Sequence, residues 1–96
     1  MEYEYKTTFW NDFTIADKFG LNAIQDTFNR AFNEWKTDYV YLTDLVIILN
    51  HKLWEHYEAG NNDFAVLYDK LWKEADEYAC KNLKDEEAEY YFRVTD

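Results

Sequence analysis

No proline occurs in this chain of 96 residues, and glycine occurs only at Gly20 and Gly60. A chain so poor in helix breakers can run in long helices wherever its apolar residues recur with the helical period. They do so repeatedly. Leu21, Ile24, Phe28, Ala31, Phe32 and Trp35 share one face of a helix predicted over 21–35. Leu42, Leu45, Val46, Leu49, Leu53 and Tyr57 form a stripe over 38–57, with Thr37 or Asp38 as N-cap. Ile48 and Trp54 widen that stripe, so this helix is expected at the centre, while Ile47 falls outside it. Phe64, Leu67, Tyr68, Leu71, Trp72, Ala75, Tyr78, Ala79 and Leu83 mark an amphipathic helix from Asn61 or Asn62 to 83. Two shorter helices are predicted over 12–19, where Thr14 and Asp17 resemble a capping box, and over 85–94, which offers Ala88, Tyr91 and Phe92 to the core. Gly20 and Gly60 punctuate the pattern, because glycine takes the left-handed conformation that ends helices.

Residues 1–9 alternate charged side chains with Tyr3, Tyr5 and Thr7, a strand-like period with no partner strand in the rest of the chain. The expected fold is therefore all-α: a compact bundle of four to five helices with an extended N-terminal segment. Short loops make neighbouring helices antiparallel. Residues 1–96 read as a single acidic helical domain, with no repeat and no linker composition.

Twenty acidic residues against ten basic ones give a net charge of −10. That balance argues against direct nucleic-acid binding and against anionic membranes, since both reward Lys and Arg. A hydrophobic content of 48% argues against a disordered acidic tail. The longest apolar run, Leu45-Val46-Ile47-Ile48-Leu49, is far short of the ~20 residues of a membrane span. With one cysteine, no internal disulfide and no all-cysteine zinc site can form. No secretory signal is recognised in the first residues, and the expected location is the cytoplasm of a bacterial host cell.

Chemistry-bearing residues are few. His51 and Glu55 have the i,i+4 spacing of a metal-binding helix, but His56 diverges and no third ligand is in evidence. Two polar-face histidines near a helix C-terminus account for the same residues. Cys80 lacks an obvious base and reads as a buried or half-buried structural thiol. No phosphate loop, nucleophile elbow or zincin motif is present. No catalytic residue, metal or cofactor is assigned, and the protein is not expected to be an enzyme.

Aromatic residues make up 21% of the chain. Trp10, Trp35, Trp54 and Trp72 sit among apolar neighbours and are expected in the core. Tyr39, Tyr41 and Tyr90 are candidates for an interface, where tyrosine offers contact area at low entropic cost. On the fourth helix, Asp69/Lys73, Lys70/Glu74, Lys73/Glu77 and Glu77/Lys81 are spaced i,i+4 and read as a self-paired solvated face. Asp85, Glu86, Glu87 and Glu89 place four carboxylates in five residues. Acids suit a helix N-terminus, and the same cluster makes a negative patch for a basic partner. With Tyr90, these are the candidate partner-binding residues. Glu2, Glu4, Asp12 and Asp17 are a second candidate patch.

Three stretches, read together, carry a resemblance: Thr8-Phe9-Trp10-Asn11-Asp12-Phe13-Thr14-Ile15-Ala16-Asp17-Lys18-Phe19-Gly20, then Asp26-Thr27-Phe28-Asn29-Arg30-Ala31-Phe32-Asn33-Glu34-Trp35, then Tyr41-Leu42-Thr43-Asp44-Leu45. Ala75-Asp76-Glu77-Tyr78-Ala79 fits as well. The chain resembles small acidic proteins carried on mobile elements of Gram-positive bacteria, whether plasmid or phage, and is similar to a plasmid-borne type II-A anti-CRISPR protein. The resemblance implies an inhibitor of a type II CRISPR effector nuclease that blocks guide RNA loading or nucleic-acid binding. The physics is compatible, because such a nuclease holds its heteroduplex in a positively charged channel. The rival expectation is a non-enzymatic structural or adaptor protein of a mobile element, with a homodimer among its forms.

Overall fold

A computed structural model describes residues 3–96, of which 9–95 are almost continuously helical. The order is α1 (Phe9–Asp17), α2 (Leu21–Trp35), α3 (Tyr39–Ala59), α4 (Asn62–Asn82) and α5 (Glu86–Thr95). No strand occurs among the described residues. The all-α bundle expected from the apolar spacing is the fold observed. Met1 and Glu2, including the Glu2 part of the second candidate patch, lie outside the described residues.

The helix ends follow from local chemistry. Asp38 caps α3 by accepting the backbone N–H groups of Val40 and Tyr41, each at 3.1 Å. Gly60 ends α3 with φ +81°, and its N–H and that of Asn61 turn back to Tyr57 and His56 carbonyls. α3 and α4 thus form an antiparallel hairpin of two 21-residue helices. Asp85, at φ +55°, precedes α5 in a backbone region that costs a non-glycine residue energy.

The core is built around α3. Residues 42–49 of that helix are buried without interruption, so its first half is enclosed on all sides. α1 and α2 bring Phe9, Phe13, Ile24 and Phe28; α4 brings Tyr68, Leu71 and Ala75; α5 brings Tyr91.

Enclosure of α3 corrects several expectations. Ile47, outside the apolar stripe, is 8% exposed, because α5 packs on that side. Trp54, expected in the core, is 52% exposed. Tyr57, Leu21 and Phe92 are also exposed, lying past the ends or on the outer sides of their packed faces. Trp10, Trp35 and Trp72 are half-buried against the core. α1 starts at Phe9, three residues before the expected position, and its N-cap is Thr8. Thr14 and Asp17 make no capping box. The Thr14 hydroxyl donates to the Trp10 carbonyl, and Asp17 faces α3. On α4 only Asp69–Lys73 closes as an ion pair among the four expected pairs, at 2.9 Å between side chains that are well exposed.

Candidate interaction surface and the polar clusters behind it

Asp44 anchors the N-terminal segment. It sits in the buried run of α3 and is fully enclosed. Its carboxylate accepts the Tyr3 hydroxyl at 2.5 Å, the Lys6 N–H at 2.9 Å and the Thr7 hydroxyl at 2.5 Å. Three donors satisfy a buried charge that would otherwise be costly. Residues 3–8 of the segment that reads as a partnerless strand are therefore a strap over α3. Desolvation, then the hydrogen bond to Asp44, pushes the Tyr3 phenol far above its ordinary range. Tyr5 continues the strap: its ring stacks on Trp10 at 5.3 Å, and its hydroxyl meets His51 Nδ1 at 2.7 Å.

A second cluster joins α1, α3 and α4. Lys52 is 1% exposed, and its ammonium lies 3.0 Å from Asp17, 3.1 Å from Glu55 and 2.8 Å from the Thr14 hydroxyl. It also sits 4.3 Å from the centre of the Trp10 ring. Asp17 accepts in addition from Tyr68 at 2.6 Å and lies 3.0 Å from His56 Nε2. The Asn61 amide meets His56 Nδ1 at 3.1 Å on the other side of the ring. Burial, then the bond to Asp17, pushes the Tyr68 phenol well up.

These bonds revise the metal-helix reading. His51 and Glu55 do not converge: His51 turns to Tyr5 and Glu55 to Lys52. The group with ligand-like spacing is Asp17, Glu55 and His56, their atoms within 4.8 Å of one another. The Lys52 ammonium already contacts both carboxylates, so a divalent ion there would meet a fixed positive charge. The cluster is a clamp between helices. His56 belongs to it as a buried residue, not to a polar face.

Cys80 is exposed rather than buried. Partial desolvation and then the nearby Asp76 carboxylate raise its thiol above the ordinary value, opposite to what a nucleophile requires.

The candidate partner residues divide by role. Asp85, Glu86 and Glu89 are exposed, and Glu87 is half-buried. Among the described residues, no ion pair joins them to Lys84 or Arg93. Tyr90 is half-buried: its ring meets Tyr39 edge-on at 5.3 Å and carries the Arg93 guanidinium at 5.8 Å. It fastens α5 to the start of α3 rather than standing free. Of the second patch, Glu4 and Asp12 are exposed, whereas Asp17 is spent in the clamp. Sequence reasoning missed the exposed pair Trp54 and Tyr57, whose rings meet edge-on at 5.4 Å beside the exposed acids Glu55 and Glu58.

No protein family, curated protein or solved structure matches the chain. No helix is long and apolar enough to cross a membrane among the described residues.

Proposed function

We propose that the protein is a non-enzymatic, stoichiometric inhibitor that binds a basic nucleic-acid-handling protein through its acidic surface. The specific partner is a type II CRISPR effector nuclease in the bacterial cytoplasm, blocked at guide RNA loading or nucleic-acid binding. The resemblance of residues 8–20, 26–35 and 41–45 to an anti-CRISPR protein supports the choice of partner. The observation that carries the reading is the start of α5: three exposed carboxylates that form no ion pair with a base among the described residues. Uncompensated charge of one sign steers association with the opposite sign and excludes polyanions from the same site.

Charge reversal tests it. Glu86→Lys combined with Glu89→Lys is expected to weaken inhibition of the nuclease by about tenfold or more, mainly through slower association. The Gln versions are expected to fall between. Circular dichroism and thermal unfolding check that the domain stays folded. Unchanged inhibition by the Lys variant removes this patch from the interface.

A second reading draws on Trp54 and Tyr57. Exposed Trp and Tyr side by side are the residue types that anchor protein interfaces. In this reading the chain is a structural or adaptor protein that pairs with itself. Sedimentation of wild type and Trp54→Ala distinguishes the two: a dimer lost in the variant supports self-association.

A further inference from the structure

Beneath Tyr3, a cavity of about 400 Å³ opens between α3, α4 and α5. Its walls carry the rings of Tyr3, Trp72, Tyr91 and Phe92. Two carboxylates, Asp76 and Asp96, lie on the same walls with the imidazole of His51, and no lysine or arginine does among the described residues. Among the described residues Asp76 uses only Oδ1: it takes the Tyr91 hydroxyl there, and the Cys80 thiol at 3.9 Å. Oδ2 accepts no hydrogen bond from the described residues. The cavity therefore offers aromatic side chains, a carboxylate oxygen without a partner among the described residues, and two acidic groups against one imidazole.

Such a lining selects a cation. Aromatic faces attract a cation through the ring quadrupole, most strongly where water is excluded. A planar guanidinium can stack on a ring and present parallel N–H groups to a carboxylate, whereas an ammonium can do only the second. We infer that this cavity is an arginine site, in which a guanidinium of the partner protein packs against Trp72 and pairs with Asp76. The inference rests on the reading of the partner as a basic protein. It adds a shaped pocket to the diffuse charge of α5, whose inner face supplies Tyr91 and Phe92.

Cys80 lines the same cavity and is the chain's one cysteine, so its modification reports occupancy. The folded protein is treated with a thiol-specific maleimide at fixed pH and ionic strength. N-acetylarginine methylamide is the probe; N-acetyllysine methylamide and sodium chloride at equal ionic strength are the controls. A lone side chain is expected to bind with a dissociation constant of about 1–10 mM. The probe at 10 mM then slows Cys80 labelling about twofold or more, by simple occupancy. The lysine control slows it less, and sodium chloride does not. Asp76→Asn keeps an acceptor for Tyr91 and is expected to abolish the protection.

Labelling rates that are the same with and without the probe overturn the site. Equal protection by the lysine derivative overturns the assignment to arginine. Both readouts are independent of any nuclease. Protection by the probe in a protein that inhibits no nuclease leaves the cavity standing and removes the proposed function. Full inhibition by Asp76→Asn removes the cavity from the interface and leaves the acidic-surface reading intact.

Discussion

Lys52 and Asp17 are 35 residues apart in the chain and 3.0 Å apart in space. The pair fixes α1 against α3, and the Tyr68 hydroxyl extends the same carboxylate to α4. Replacing Lys52 with Met keeps the stem but leaves Asp17 short of a positive partner in a largely dry setting. Breaking a buried pair from one side costs about 3–5 kcal/mol. Urea unfolding of Lys52→Met is expected to show a loss of that size. The double variant Lys52→Met, Asp17→Asn removes both charges and is expected to recover part of it. A loss below about 1 kcal/mol for the single variant would mean that the pair is solvated.

Asp44 is the only side chain to which Tyr3, Lys6 and Thr7 all bond among the described residues. Asp44→Ala removes three hydrogen bonds to a charged acceptor and releases the strap. Trypsin provides the readout, because Lys6 is exposed and its peptide N–H is held by Asp44. Native wild-type protein is expected to resist cleavage after Lys6, and the variant to be clipped there before any cut in α3. Equal cleavage of both would show that Asp44 does not hold the strap.

Alkaline pH should unfold the domain through its phenols. Tyr68 and Tyr91 are buried and each donates to a carboxylate, so both are pushed up, by desolvation first and the bonded Asp second. In the unfolded chain they titrate near the ordinary value of about 10. Below that value both states hold the proton and the stabilisation is complete. Above it the unfolded chain releases protons that the folded protein keeps, so stability falls as pH rises. Unfolding free energy measured from pH 8 to 11 is expected to be flat and then to decline. Tyr3 is pushed up in the same way, so the steepness should approach that of about three protons, and Tyr91→Phe should reduce it. A profile without decline contradicts the burial of these phenols.

Two backbone positions give opposite expectations. Gly60 at φ +81° has open space where a Cβ would stand, so Gly60→Ala meets only the backbone cost of the left-handed region, about 1 kcal/mol. Asp85 at φ +55° already bears such a cost, and Asp85→Gly relieves it by up to about 1 kcal/mol. Thermal unfolding checks both. A stabilised Asp85→Gly also tests the acidic patch without a folding defect.

Most of the architecture was legible because local signals and apolar spacing agree. The second helix covers 21–35 in sequence and in structure, and Asp38 and Gly60 cap α3 as their chemistry predicts. The centre of the fold was harder to read. A stripe assumes that one face of a helix is buried, but the first half of α3 is enclosed all round, which hides Ile47 and Asp44. Trp54 lies in the less enclosed half, where hydrophobicity alone does not decide burial. Lys52 was invisible as a core residue because its burial depends on Asp17, Glu55 and Thr14, two of them from another helix. The start of α1 moved because Thr7 is held by Asp44 and in turn accepts the Phe9 N–H at 3.1 Å. The acids of α5 were found by composition. The cavity beside them was not, since its Tyr, Trp and Phe rings come from two helices and the N-terminal strap.

The most direct test of the inhibitor reading is a cleavage assay with a purified type II CRISPR nuclease, adding the protein before or after the guide RNA. The acidic-surface account predicts inhibition when the protein comes first, with loss of potency as salt rises. Inhibition in both orders would move the blocked step to target binding or cleavage. No inhibition in either order would contradict the account and leave the self-associating adaptor as the standing reading.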